Sequence, residues 1–532
     1  MSVRNEVSPD TLNKPNEVNN EPEVSEEQIS NRKRKGRTGR GDQNSKVRRT
    51  EGDDRRTKKQ MDLKVPIGDE ENLDGERRPK RKVACLIGYC GTGYHGMQIN
   101  PPHKTIEGDI FTALVQAGAI SRDNSNDPKK SGFMRAARTD SGVHAAGNVI
   151  SLKMIIEDEN IVEKINKNLP PTIRLWGYTR TTKGFECRKQ CDSRVYEYLI
   201  PSYAFIAPKP TSNLYRRMKE SSDAFPNVVL EDKESEKYWN EVFDLCREAG
   251  VDAETLADDI IQTGVDFSAK KKNGEVKSEE TVQYTREQYA AIKKVKQIEY
   301  DARKAYRISK ERLDRVREAL KVYEGHHNFH NFTIGKEYND PSAKRFMKSL
   351  TASEPKFIEG TEWVSIKIHG QSFMLHQIRK MISMATLVVR TGIPLTRIDE
   401  AFRRRKINIP KAPALGLLLE SPSYEAINVR LNSYGHDGIH FDKYADKMEE
   451  FKKKHIYDKI YAEEEKENVF SSFFGFIDNL ASGPEDQTFA YLLAAGLPGT
   501  ADSASTFIST TDTALQQIEK EELSNLEGDN EG

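Results

Sequence analysis

The chain has 532 residues, 36% hydrophobic and 31% charged, with Lys and Arg balancing Asp and Glu at 83 each. So few apolar residues in so long a chain predict a folded middle diluted by unfolded ends, and no apolar run approaches the roughly 18 residues of a membrane span. Five cysteines are too few for a disulfide scaffold, which excludes the secreted disulfide-rich classes and predicts a reducing compartment.

The N-terminus MSVRNEVSPD lacks the apolar core of a secretory signal and carries acids that a mitochondrial presequence avoids, so a soluble intracellular protein is expected. Residues 1–79 read as a disordered basic head: residues 31–60 alone hold 13 Lys or Arg against 4 Asp or Glu. Its clusters RKRKGR (Arg32–Arg37), KVRR (Lys46–Arg49) and RRTKK (Arg55–Lys59), and a further cluster RRPKRK that spans Arg77–Lys82, have the composition of nuclear-import signals or nucleic-acid arms.

Order begins near Lys82. VACLIGY (Val83–Tyr89) reads as a buried strand and is followed by the Gly-rich loop GYCGTGYHG. A helix is expected from TIEGDIFTALVQAGA, with Thr105 as N-cap and Ile106, Ile110, Ala113, Leu114 and Ala117 on one face. After a loop over Ser121–Lys130, VISLKM alternates at Ile150, Leu152 and Met154 as a strand does. A short helix over Ile161–Leu169 precedes the strands TIRLWGY and VYEYLI.

From 208 to 308 the chain turns polar and charged and reads as an insertion. SKERLDRVREALKVYEG then predicts an amphipathic helix with Leu313, Val316, Leu320 and Tyr323 on its stripe and Gly325 as its C-cap. WVSIKI alternates at Val364, Ile366 and Ile368. SFMLHQIRKMISMATLVVR predicts a helix with a core face of Leu375, Ile378, Ile382, Ala385 and Val389, and LGLLLE (Leu415–Glu420) a closing strand. Residues 436–480 add polar helix and the aromatic cluster VFSSFFGF. Residues 481–532, with 10 acids against one Lys, form an acidic tail. This irregular alternation favours an α+β fold with a mainly antiparallel sheet over a parallel doubly wound one.

Three segments could carry chemistry. Asp140 stands in the Gly-containing turn ARTDSGVHA (Ala137–Ala145), which can project a carboxylate into a cleft or be an ordinary turn. In RVYEY, Tyr196 and Tyr198 fall on one strand face, suited to base stacking or to packing. In GQSFMLHQIR, Arg379 interrupts an apolar helix face and either needs a buried anion, for which Asp140 is the expected partner, or snorkels to the surface.

Together with GYCGTGYHGMQIN, HHNFHNFT (His326–Thr333) and APALGLLLE (Ala412–Glu420), these motifs resemble the TruA-type tRNA pseudouridine synthases, over roughly Lys82–Val429. The GMQ-N wording, the CDSR before Tyr196 and the basic head are similar to the eukaryotic nuclear multisite branch. The resemblance implies the pseudouridine synthase fold, a mainly antiparallel mixed sheet in two RRM-like halves around an RNA-binding cleft. The halves would be 80–207 and 309–435, followed by a helical extension over 436–480.

The resemblance further implies Asp140 as nucleophile, Arg379 as the guanidinium that keeps it ionised, and Tyr196 as the ring stacked on a flipped-out uridine. The carboxylate would attack the anomeric carbon, assist a glycal or add to C6; the sequence leaves these routes open. RNA-binding candidates are Arg138, Tyr94, His95, Arg403 and Arg404, while His144 reads as a packed structural histidine. No cofactor is required for the chemistry. A structural zinc on Cys187 and Cys191, joined by His326, His327, His330 or His376, is left as a minor alternative. Expected partners are tRNA, with small nuclear RNA and mRNA as further substrates, and a nuclear import receptor. A nuclear monomer is expected, because the insertion would cover the surface by which bacterial relatives dimerise. The competing readings are a non-catalytic RNA-binding relative and a hydrolase, such as a nucleosidase, that uses Asp140 with another acid.

Overall fold

The computed structural model describes residues 78–256, 285–480 and 488–496. The basic head up to residue 77, the charged stretch Lys270–Glu280 and all but a short piece of the acidic tail lie outside the described residues. No described helix is long and apolar enough to cross a membrane.

The sheet has ten strands: β1 (Lys80–Tyr89), β2 (Met134–Arg135), β3 (His144–Ile155), β4 (Ile173–Arg180), β5 (Ser193–Pro201), β6 (Gly325–Asn328), β7 (Lys344–Ala352), β8 (Lys356–Ile358), β9 (Thr361–Gly370) and β10 (Leu417–Ser423). Eight of them run in the order β4-β1-β3-β10-β5-β9-β7-β6, with β2 attached to β3 and β8 to β9. Every pairing is antiparallel except that of β10 with β3, which is parallel through Leu418 opposite His144 and Leu419 opposite Ala145. The expected α+β, mainly antiparallel architecture is therefore observed. The closing strand does not cap an edge: β10 is inserted between β3 and β5 and stitches the strands on either side into one sheet.

Local sequence accounts for most elements. Thr105 caps the helix Ile106–Gln116, its hydroxyl accepting from the Gly108 N–H at 3.3 Å, and Ile106, Ile110, Ala113 and Leu114 are buried as their spacing predicts. Lys310–Lys321 buries Leu313, Val316 and Leu320. Gly325 differs from expectation. The helix is capped at Val322, and Gly325 takes its left-handed φ of 97° at the head of β6, where it turns the chain into the strand.

Two segments read as one-sided are buried on all sides. In β3 only Lys153 is exposed. Ile150, Leu152 and Met154 pack in one cluster with Ile110 and Leu114, and Val149 packs in another with Phe185, Tyr424 and Leu431. The helix Gln377–Thr391 buries all but one of its residues, Arg379 being the half-exposed one. It begins five residues later than the apolar pattern suggested, so Leu375 precedes it.

The described parts of the segments read from the sequence as an insertion and a C-terminal extension pack on this frame. Trp239, from the insertion helix Lys233–Glu248, donates its Nε1–H to the Ala207 carbonyl at 3.0 Å. Phe470, from the extension helix Val469–Leu480, packs edge-on against Tyr198 and Trp363. Arg390 at the end of Gln377–Thr391 makes a bidentate pair with Asp478 of the extension, at 2.9 and 2.7 Å, in a buried setting.

Candidate active site

Ala145, Leu419, Tyr196 and Ile368 lie in register across β3, β10, β5 and β9. The turn that enters β3 holds Asp140, and the segment that leaves β9 holds His376 and Arg379. Strand order thus gathers three motifs far apart in sequence at the middle of the sheet.

The Asp140 turn is clamped before it does anything chemical. Val143 N–H donates to the Asp140 carbonyl at 3.1 Å and Met97 N–H to the Thr139 carbonyl at 3.1 Å. Thr139 and Tyr89 share a hydroxyl–hydroxyl bond of 2.9 Å, and Ser141 donates to the Tyr94 carbonyl at 3.1 Å. The Gly-rich loop lies directly on this backbone. A Cβ at Gly96, where φ is 88°, would stand 3.0 Å from the Thr139 carbonyl oxygen, and one at Gly91 would overlap Val143. Both glycines are required by close backbone approach.

Asp140 leaves about a quarter of its side chain accessible. Its Oδ2 is 2.9 Å from Nδ1 of His376. Burial pushes the carboxyl pKa up, but the hydrogen bond and charge of His376 and the charges of Arg379 and Lys411 outweigh it, so the carboxyl is held below its ordinary value. The candidate site thus holds a half-buried carboxylate that is hydrogen-bonded by His376 and acted on by the charges of Arg379 and Lys411.

His376 is buried and takes a left-handed backbone, φ 58° and ψ 3°, immediately before the helix Gln377–Thr391. Such a conformation in a residue other than glycine typically costs about 1–3 kcal/mol and is held only by its surroundings. Gln377 supplies part of the hold, its Oε1 accepting from the Met374 N–H at 2.9 Å.

Arg379 does not make the direct pair with Asp140 that was expected. Among the described residues no hydrogen bond or ion pair joins them; the Nε–H of Arg379 donates to the Ala412 carbonyl at 2.6 Å, and the guanidinium acts on Asp140 through its charge. The side chain hydrogen-bonded to the carboxylate is His376, at the left-handed residue before the helix.

Tyr196 is 7% exposed and meets the ring of Phe373 edge-on at 5.1 Å. Burial pushes its hydroxyl pKa up to about 12, with the Arg194 charge opposing and that of Asp140 adding, so it is a neutral phenol at physiological pH. Arg194 donates to the carbonyls of Ala136 at 2.9 Å and Gln371 at 3.2 Å, tying the strand before the Asp140 turn to the loop before His376.

The remaining sequence candidates divide by exposure. Arg138, His95, Arg403 and Arg404 are exposed, the ring of His95 lying 4.4 Å from that of His103. The loop bearing Arg403 and Arg404 is pinned by Asn331, whose Nδ2 donates to the carbonyls of Ala401 and Arg405. Tyr94 is buried, its hydroxyl donating to Asp109 at 2.7 Å, so it braces the loop from within. His144 is buried, accepts from the Gly91 N–H at 3.1 Å, and is pushed by burial to a pKa of about 4, as a packed neutral histidine.

Cys187 and Cys191 give no support to a zinc site. Their thiols donate to the carbonyls of Met134 and Ser193, burial pushes the Cys187 pKa up to about 11, away from the thiolate a metal needs, and no group of three or more ligating side chains is present among the described residues.

Sequence reading placed Asp140, Tyr196 and Arg379 but considered His376 only as a metal ligand, and it left Lys411 and the bracing pair Tyr89 and Thr139 unmarked. The one available signal for His376 was its place in the same motif as Arg379.

Comparison with known proteins identifies the family. Residues 319–425, which include His376 and Arg379, match the family model described as tRNA pseudouridine synthase. The chain is 55% identical over 437 residues to tRNA pseudouridine synthase 1 of Yarrowia lipolytica, covering 80% of this chain and 78% of that protein. It is 50% identical over 488 residues to tRNA pseudouridine synthase 1 of Saccharomyces cerevisiae, covering 86% and 87%. With the tRNA pseudouridine(27/28) synthase of the same yeast it shares 38% identity over 400 residues, covering 75% and 99%.

Proposed function

The chain belongs to the tRNA pseudouridine synthase family, and from that premise we propose that it isomerises several uridines of tRNA to pseudouridine, with Asp140 as the nucleophile. The observation that carries this reading is the Asp140 carboxylate, held ionised by His376, Arg379 and Lys411 beside the buried ring of Tyr196.

The chemistry follows from these groups. The bond from the ribose anomeric carbon to N1 breaks, a bond to C5 forms, the C5 proton is lost and N1 gains one. Nothing is oxidised and no group enters, so the reaction needs neither metal nor organic cofactor. The target base must leave its stack to reach a carboxylate that is mostly buried, which costs a few kcal/mol of unstacking. Tyr196 offers a stacking ring, typically worth about 1–3 kcal/mol per base, to offset that cost. The exposed Arg138, His95, Arg403 and Arg404 would contact phosphates around it.

Intron-containing precursor tRNA, small nuclear RNA and mRNA are further proposed substrates. A nuclear location, reached through an import receptor that binds the basic head, and a monomeric state belong to the same proposal.

The test is incubation with tRNA, scoring pseudouridine against free uracil. Asp140→Ala and Asp140→Asn should abolish turnover, by at least about 1000-fold, while leaving RNA binding within a few-fold. Near-normal pseudouridine formation by either variant would remove Asp140 from the mechanism. Binding without turnover by the wild type would favour the non-catalytic alternative, and free uracil would indicate a hydrolase.

A further inference from the structure

We propose that His376 is a positioning residue for the isomerisation, its Nδ1–H holding one oxygen of Asp140 so that the other is aimed at the flipped nucleotide. The proposal rests on the reading of Asp140 as nucleophile.

The contact is 2.9 Å between Nδ1 and Oδ2, and the His376 side chain is 3% exposed. An ionised carboxylate can only accept, so the proton of this bond is assigned to Nδ1. Both ends of the bond are fixed by backbone rather than by side-chain search. On one side stands the Asp140 turn, braced by Met97, Tyr89 and the Gly-rich loop. On the other, Thr333 donates to the Leu375 carbonyl at 2.9 Å, and the His376 carbonyl accepts from the Lys380 N–H at 3.0 Å. A carboxylate anchored at one oxygen loses its rotation and presents the other oxygen in one direction, which is what attack on a fixed carbon requires.

Arg379 acts on Asp140 through its charge, while its Nε–H is bound to the Ala412 carbonyl and no hydrogen bond or ion pair joins it to Asp140 among the described residues. The left-handed backbone of His376 is explained by the same role, since it turns the ring toward Asp140 at the mouth of a buried helix. His376 moves no proton of the reaction in this account.

The charged and titratable groups facing Asp140 are His376, Arg379, Lys411 and Tyr196. Removing the His376 donor raises the Asp140 pKa toward its ordinary value, and the acid limb of the rate profile should move to higher pH with it.

The test compares His376→Gly, His376→Asn and wild type in single-turnover assays on tRNA across pH, with RNA affinity and thermal melts alongside. Glycine accepts the left-handed backbone without strain but carries no donor. Asparagine tolerates that backbone and places an amide N–H where Nδ1 stands. His376→Gly should lose about 10–100-fold in rate with RNA Kd within about threefold, and shift the acid limb upward. His376→Asn should recover most of the rate and the original limb. A His376→Gly enzyme with wild-type rate and limb overturns the proposal, as does a folded His376→Asn enzyme as slow as His376→Gly. Wild-type protein that leaves tRNA uridines unchanged would instead overturn the function, and the two failures are distinct.

Discussion

At the scale of single residues, the surroundings shift two carboxyls in opposite directions. Asp140 is held ionised by cations. Glu107, on the helix behind the Gly-rich loop, is pushed by burial to a pKa of about 7 although the charge of Arg135 and the Ile99 N–H, donating at 3.0 Å, favour its ionised form. The consequence for stability has a definite sign. The unfolded carboxyl ionises near 4.5, so between about pH 4.5 and 7 the folded state holds a proton that the unfolded state has released, and folding stability falls as pH rises through that window. Glu107→Gln removes this titration while keeping an acceptor for Ile99. Its melting temperature relative to wild type should therefore rise between pH 5 and 7.5. A difference that stays flat over that range would show that Glu107 ionises normally in the folded protein.

At the scale of elements, the helix Gln377–Thr391 follows directly from His376 and is enclosed by packing on almost every face. Its far end is locked by the Arg390–Asp478 pair, in which both side chains are under 10% exposed, and Arg390 also donates to the Ile206 carbonyl at 2.7 Å. The helix Val469–Leu480, which contains Asp478, is thus tied to the far end of Gln377–Thr391. Breaking one side of a buried pair leaves an uncompensated charge and typically costs about 3–5 kcal/mol, whereas replacing both sides with apolar residues costs far less. Asp478→Ala should accordingly lose about 3 kcal/mol or more in denaturant melts, and Arg390→Met with Asp478→Leu should recover much of it. If the double variant is as unstable as the sum of the single losses, the pair is not coupled and the extension holds the helix by apolar contact alone.

At the scale of the whole molecule, the charge of the chain is segregated, with a basic head, an acidic tail and a folded middle that carries the chemistry. Residues 1–77 lie outside the described residues, and the proposed role of the head rests on its Arg and Lys clusters. Fusing residues 1–82 to a fluorescent reporter should concentrate it in the nucleus, while the protein lacking residues 1–77 should keep its turnover on tRNA. A reporter spread evenly through the cell would remove the import role, and lost turnover in the truncated protein would make the head an RNA arm instead.

What the sequence determined by itself is what short-range physics encodes. The cap at Thr105, the stripe of Leu313, Val316 and Leu320, and the alternation in β9 follow from local periodicity, and the family follows from short motifs around Asp140, Tyr196 and Arg379. Tertiary structure alone decided the rest. It placed β10 between β3 and β5, covered β3 on both faces, sent Arg379 to the Ala412 carbonyl and brought His376 to Asp140 across 236 residues of chain. The reason is that a side chain's partner depends on strand order and on one left-handed residue before a helix, and neither is set by the spacing of apolar residues around it.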